Sequence, residues 1–162
     1  MEKKLSKSAQ KVQDALAGLG LSCQVEERSA STRSAEEAAQ VVGCDVGQIV
    51  KSLLFRGEVT GQPLFVLASG RNRVCVDKLA ALAGEPIGKA DASFVREKTG
   101  FAIGGVAPLG HPEKLATIVD EDLLQYSELW AAAGTPAALF RLTPKELTVI
   151  TDGRVASVRE MT

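Results

Sequence analysis

The sequence predicts an α+β domain, a mainly antiparallel sheet with helices packed outside it. Three observations carry the prediction. Helix-like and strand-like stretches are mixed along the 162 residues without the regular strand–helix–strand alternation of a parallel sheet. Strand-like runs follow one another across loops of hairpin length, which antiparallel neighbours use and parallel ones cannot. The composition, 45% apolar and 24% charged, is that of an ordinary globular chain. A chain of this size buries roughly 70% of its unfolded surface, so a single domain over residues 1–162 is expected.

Leu5, Ala9, Val12, Leu16 and Leu19 recur at three- and four-residue steps and define the first helix, which Gly18 and Gly20 end. Lys4, Lys7 and Lys11 fall on its other side, as a solvated face in preference to a phosphate-contacting patch. Ser22 to Glu26 reads as a short strand. The second helix opens on a capping box, Ser34-Ala35-Glu36-Glu37, buries Ala35, Ala38, Ala39 and Val42, and closes at Gly43. Ile49 to Phe55 and Pro63 to Ala68 are β-prone runs separated by a Gly-containing turn, and pair as a hairpin. Asp77 to Ala83 and Asp91 to Lys98 are short helices followed by Gly84 and Gly100. Strand patterns return at Ala116 to Asp120 and Ala137 to Leu142. Thr143 and Pro144 then start a last short helix as cap and first-turn proline, and Val155 to Val158 adds an edge strand.

Composition excludes several function classes. Nineteen basic against 20 acidic side chains leave a formal charge of -1, unlike a general nucleic-acid coat protein. Cys23, Cys44 and Cys75 are odd in number and far apart, so neither a disulfide framework nor a thiolate zinc site is indicated. His111 is the sole histidine, which removes any two-histidine metal site. No metal and no cofactor are expected. The basic start is not followed by the apolar stretch of a signal peptide, and no run approaches the ~20 residues of a membrane span, so a cytoplasmic protein with no membrane partner is expected.

Two segments stand out chemically. In the strand Ile49 to Phe55, Lys51 shares a face with Ile49, Leu53 and Phe55. An ammonium placed so either snorkels to the sheet rim or lines an apolar-walled cavity where it binds an anion or polarises a carbonyl. The second segment is Phe101 to His111, with Gly104-Gly105-Val106-Ala107-Pro108 at its centre. It is either a plain turn or a loop whose unhindered amides can aim at a developing oxyanion. It matches neither a P-loop nor a dinucleotide fingerprint.

Ser31-Thr32-Arg33-Ser34-Ala35-Glu36-Glu37-Ala38-Ala39, the strand Ile49-Val50-Lys51-Ser52-Leu53-Leu54-Phe55 and the loop Gly104-x-x-x-Pro108, in that order and spacing, resemble the YbaK/ProX family. These are free-standing relatives of the editing domain of bacterial prolyl-tRNA synthetases, which hydrolyse mischarged aminoacyl-tRNA in trans. The resemblance runs from about Ser6 to Val158. It implies a mixed, mostly antiparallel, barrel-like sheet surrounded by helices. It also implies that Lys51 is required for deacylation and that the Gly104 to Pro108 loop faces the same pocket.

On this resemblance the amides of Gly104 and Gly105 are expected to support the ester carbonyl and Lys51 to anchor a terminal phosphate or another polar part of the substrate. The ribose hydroxyl beside the ester would activate the water. Val106 and Pro108 of the loop are expected substrate contacts, as are His111 just after it, which is otherwise an exposed turn residue, and Ser69 at the end of a strand, which otherwise only finishes that strand before Gly70. Gly134 and Thr135 belong to the same set: many members resembling the Cys-tRNA deacylases carry Ser-Gly-Gly where this chain has Ala132-Ala133-Gly134-Thr135-Pro136. That departure favours a small aliphatic cargo such as alanine, carried on tRNA(Pro), over cysteine or serine. The expected partner is the acceptor end of aminoacyl-tRNA, with prolyl-tRNA synthetase as a second. Tyr126 and Trp130 read as core or interface aromatics. The alternative is a non-catalytic aminoacyl-tRNA or synthetase binding module of the same fold.

Overall fold

The structure is a computed structural model that describes residues 4–29, 31–32 and 34–161. Arg33 of the motif quoted above, and the first three residues of the basic start, lie outside them. Helix α1 (Lys7–Gly18) leads to strand β1 (Val25–Glu27), helix α2 (Ala35–Val42) and the long hairpin of β2 (Ile49–Gly57) and β3 (Pro63–Ser69). Helix α3 (Val76–Ala83), strand β4 (Ile87–Lys89) and helix α4 (Ala92–Thr99) follow. The chain closes with β5 (Ala116–Asp120), β6 (Leu129–Ala132), β7 (Ala138–Leu142), helix α5 (Pro144–Thr151) and β8 (Arg154–Ala156).

The strands form one sheet in the order β1-β7-β6-β2-β3-β5-β8, with β4 also paired to β2. Among the described residues four pairings are antiparallel (β1·β7, β2·β3, β2·β4, β6·β7) and three parallel (β2·β6, β3·β5, β5·β8). The expected α+β class and mixed, mostly antiparallel sheet are therefore present.

Helices lie against both faces, and alternation along β3 shows why. Phe65 and Leu67 pack with Ala9, Val12 and Leu16 of α1 and Leu147 of α5, while Leu64 and Val66 pack with Leu79 of α3 and Ile118. Each fully buried side chain such as Phe65 contributes about 1.5–3 kcal/mol. A third cluster joins Ala38 and Ala39 of α2 to Ile49 and Leu139. This last contact seats α2 above the start of β2.

Local signals act as expected at most boundaries. Ser34 Oγ accepts from Glu37 N–H, and Gly43, Gly84 and Gly100 take the left-handed conformation that ends α2, α3 and α4. Thr143 and Glu146 form a reciprocal capping box at α5. Three expectations shift. Leu19 is half exposed, because α1 stops at Gly18. The strand expected from Ser22 starts at Val25, because the Gln13 side chain donates to Cys23 O and accepts from Val25 N–H, binding that stretch in place of a neighbouring strand. The edge strand expected over 155–158 pairs over Arg154–Ala156, and Val158 turns into the α3 cluster instead. No described helix is long and apolar enough to cross a membrane.

Candidate active site

Strand β2 has a neighbour on one side along nearly its whole length: Val50 to Arg56 pair with β3. On the other side, β6 pairs only with Ile49 and Val50, and β4 pairs only from Phe55 to Gly57. Residues 51–54 thus form an open window in the sheet, between the end of one neighbour and the start of the next. A cavity of about 420 Å³ lies at this window. Its walls are Ala35, Glu36 and Ala38 of α2, Ile49 to Leu53 of β2, Ile103, Gly104 and Val106 of the loop, and Ala132 and Leu139. A second cleft of about 220 Å³ shares Ser52, Leu53, Ile103, Gly104 and Val106 with the first and adds Phe55, Lys89 and Val95. The Gly104 loop sits between the two.

Lys51 lines the first cavity. Its Nζ donates to the main-chain carbonyl of Asn72. Burial pulls the ammonium below the usual lysine range; Glu36 and Asp120 oppose this and Arg73 adds to it. The carbonyl that receives Lys51 is itself fixed. Asn72 Nδ2 donates to Asp120 Oδ2 and Asp122 Oδ2, each at 2.8 Å. Asp120, fully buried, also accepts from the main-chain N–H groups of Ser69 at 3.0 Å and Asp122 at 2.9 Å.

Gly104 has φ 97°, a conformation that side-chain-bearing residues rarely adopt. None of the described residues accepts from its N–H. Gly105 differs from the expectation. Its N–H donates to Ala102 O at 3.1 Å, so that amide is committed to the turn. A Cβ at Gly105 would stand 2.8 Å from Thr135 Cα, which makes glycine the residue that lets the loop approach the segment before β7.

The structure brings Lys51, Gly104 and Val106 to one cavity and leaves the other expected contacts outside its wall. Ser69 is 2% exposed, its hydroxyl donating to Gly47 O at 2.7 Å and its amide bound by Asp120. Pro108, the last residue of the loop, is buried. His111 packs edge-on against Phe65 (4.9 Å between centroids) and Phe101 (6.2 Å), and Nε2–H donates to Ala107 O at 2.8 Å. Its pKa is lowered by burial first, with Lys11 adding to the effect and the Ala107 bond opposing it. The histidine fastens the loop's far end to the core. Gly134, at φ 97°, lies against Ser8 O of α1, and Thr135 supports the turn into β7 by accepting from Ala137 N–H and Ala138 N–H. Trp130 and Tyr126 pack against core clusters, as expected for structural aromatics.

Sequence reasoning did not single out Glu36, Ser52, Gly70 or Asn72. Glu36 lies in the first turn of α2, where the capping pattern falls on its neighbour Glu37. Gly70 lies so close to Val46 O that a Cβ would stand 2.3 Å away. Asn72 acts through its main chain, which no pattern displays. Ser52 had a signal: it is the polar residue on the face it shares with Val50 and Leu54. Among the described residues no group of three or more His, Cys, Asp or Glu side chains could hold a metal ion.

The aminoacyl-tRNA editing domain family matches residues 29–150. The crystal structure of a candidate trans-editing enzyme for prolyl-tRNA synthetase superposes with a TM-score of 0.92 at 53% identity, covering 98% of this chain and 100% of the other. The uncharacterised protein YwhH of Bacillus subtilis is 31% identical over 81% of this chain and 83% of its own length. EbsC of Enterococcus faecalis, a candidate Cys-tRNA(Pro)/Cys-tRNA(Cys) deacylase, is 29% identical over 77% of this chain and 76% of its own.

Proposed function

Since the chain belongs to the family of aminoacyl-tRNA editing domains and is an aminoacyl-tRNA deacylase of the YbaK-like kind, we propose that it removes a small amino acid such as alanine from mischarged tRNA(Pro). The observation that carries the site assignment is the shared cavity of Lys51 and Gly104.

The reaction adds water to the ester carbonyl and breaks the bond to the terminal ribose oxygen. That oxygen leaves with a proton, and the amino acid is released as a carboxylate. The carbonyl oxygen gathers negative charge on the way, and a fixed N–H aimed at it lowers the barrier. Gly104 N–H is the donor assigned this part. Lys51, a half-buried cation with one of its three protons engaged by Asn72 and no other partner among the described residues, anchors an anionic part of the acceptor end, for which a terminal phosphate is the natural ligand. Among the described residues the cavity wall offers no histidine, cysteine or cluster of metal-binding side chains, so the neighbouring ribose hydroxyl is assigned to position the water.

Cargo choice rests on size and on the wall's chemistry. Ala35, Ala38, Ala132, Leu139 and Val106 present apolar surface, and the segment before β7 lacks the serine that the resemblance associates with cysteine-directed members. An apolar wall separates side chains differing by one methylene by only about 1–3 kcal/mol, so proline must be excluded mainly by shape. A deacylation panel tests the assignment. Alanyl-tRNA(Pro) is expected to be hydrolysed faster than prolyl-, cysteinyl- or seryl-tRNA(Pro); preference for cysteine would move the cargo, and equal rates on all would remove the selectivity.

A further inference from the structure

Ser52 carries a hydroxyl that no described residue pairs, and its main-chain groups face an edge of β2 that neither β6 nor β4 covers. Gly57 N–H bonds Gln62 O and Gly70 N–H bonds Ile49 O, so odd-numbered residues of β2 direct their main-chain groups at β3 and even-numbered ones direct theirs at the opposite edge. Val50 meets β6 there and Arg56 meets β4. Ser52 falls in the window between, with its N–H and C=O toward the open edge. Its hydroxyl is shielded from solvent and has no hydrogen-bond partner among the described residues. Buried polar groups are nearly always paired, so this grouping points to a ligand.

We propose that Ser52 reads the α-ammonium group of the esterified amino acid, an inference that rests on the deacylase reading above. Its carbonyl accepts from the ammonium, its hydroxyl turns from its shielded position to do the same, and its N–H faces the ester oxygens, which lie three bonds from the ammonium nitrogen. The charge pattern of the wall agrees. Lys51 is its one cation and Glu36 its one carboxylate among the described lining residues. An aminoacylated acceptor end carries one cation, the ammonium, and anions at its phosphates. Lys51 suits the anions, whereas the Ser52 acceptors, in the field of Glu36, suit the cation. The contact would be blind to the side chain and would separate charged tRNA from uncharged and N-acylated tRNA.

A non-hydrolysable probe tests this without depending on turnover. 3′-Alanylamino-3′-deoxyadenosine is titrated against the full chain beside its N-acetyl derivative, which keeps every other group. The amine form is expected to bind at least about tenfold more tightly and to move the Ser52 amide resonance. Ser52→Ala is expected to weaken the amine probe several-fold and leave the N-acetyl probe unchanged. Equal affinity of the two probes, or an unmoved Ser52 resonance at saturation, overturns the assignment. Turnover of alanyl-tRNA is measured separately: its absence would overturn the deacylase reading, while the probe result would still decide the role of Ser52.

Discussion

Lys51 Nζ donates to the main-chain carbonyl of Asn72, and the side chain of Asn72 is gripped by Asp120 and Asp122. The cation on the cavity wall is thus placed by a main-chain oxygen that two carboxylates hold still. Several consequences can be measured.

The first concerns the charge of Lys51. Burial lowers its pKa, with Arg73 helping and Glu36 and Asp120 opposing, so the ammonium loses its proton at a lower pH than a free lysine near 10.4. An anchoring role needs the charged form, so the acceleration over spontaneous ester hydrolysis should fall as pH rises through the lowered value. A Lys51 13Cε titration with a midpoint at or above that of the exposed lysines would contradict this.

Asp120 carries the support. It accepts from Ser69 N–H, Asn72 Nδ2 and Asp122 N–H while fully buried. Asp120→Asn replaces an acceptor oxygen with a donor and should destabilise the fold by about 1–3 kcal/mol in denaturant unfolding. The remaining folded protein should deacylate more slowly, because Asn72 no longer holds its carbonyl beneath Lys51.

Ser69→Ala provides the contrast. The hydroxyl donates to Gly47 O away from the cavity wall, so its loss should lower stability by about 1 kcal/mol and leave kcat and KM nearly unchanged. A raised KM at unchanged stability would restore Ser69 as a substrate contact.

His111 should act through stability. Its folded pKa lies below the unfolded value near 6.5, so the unfolded chain takes up a proton first as pH falls. Its contribution is complete above about pH 6.5 and is lost progressively as pH drops from there toward the folded value. Unfolding midpoints between pH 5 and 7 should therefore slope upward with pH, and His111→Gln should flatten that part of the slope. An unchanged slope would deny the histidine this role.

The two loop glycines should fail differently. Gly104→Ala places a side chain at φ 97°, a strain of about 1–3 kcal/mol, and disturbs the cavity wall directly. Gly105→Ala drives a Cβ to 2.8 Å from Thr135 Cα and pushes the whole loop from the segment before β7. Both should lower kcat. Only the Gly105 change should also alter the main-chain resonances around Thr135.

Most of the fold was legible because its boundaries use strong local chemistry. Ser34, Thr143, Gly43, Gly84 and Gly100 mark helix ends by capping and by backbone conformations that glycine adopts easily. Strands β4 and β6 were not legible. Ile87–Lys89 is three residues long, and Leu-Trp-Ala-Ala at Leu129–Ala132 has neither alternation nor β-branched residues; pairing with β2 makes each a strand. Within the site, Lys51 and Gly104 stood out because an ammonium on an apolar face and a glycine pair are unusual in sequence. The window at Ser52 depends on where β6 stops and β4 begins, and the carbonyl under Lys51 depends on a main-chain trace. His111 and Ser69 lie near the loop and the strand end in sequence, yet burial turns both inward.

The most direct test of the central claim is the rate at which purified protein deacylates alanyl-tRNA(Pro), compared with its Lys51→Ala variant at matched folded concentration. The wild type should release alanine well above the spontaneous rate, and the variant should fall by about 100-fold or more, the scale of losing one electrostatic contact in a reaction site. Equal release by the two proteins would contradict the assignment of the reaction to the Lys51–Gly104 cavity.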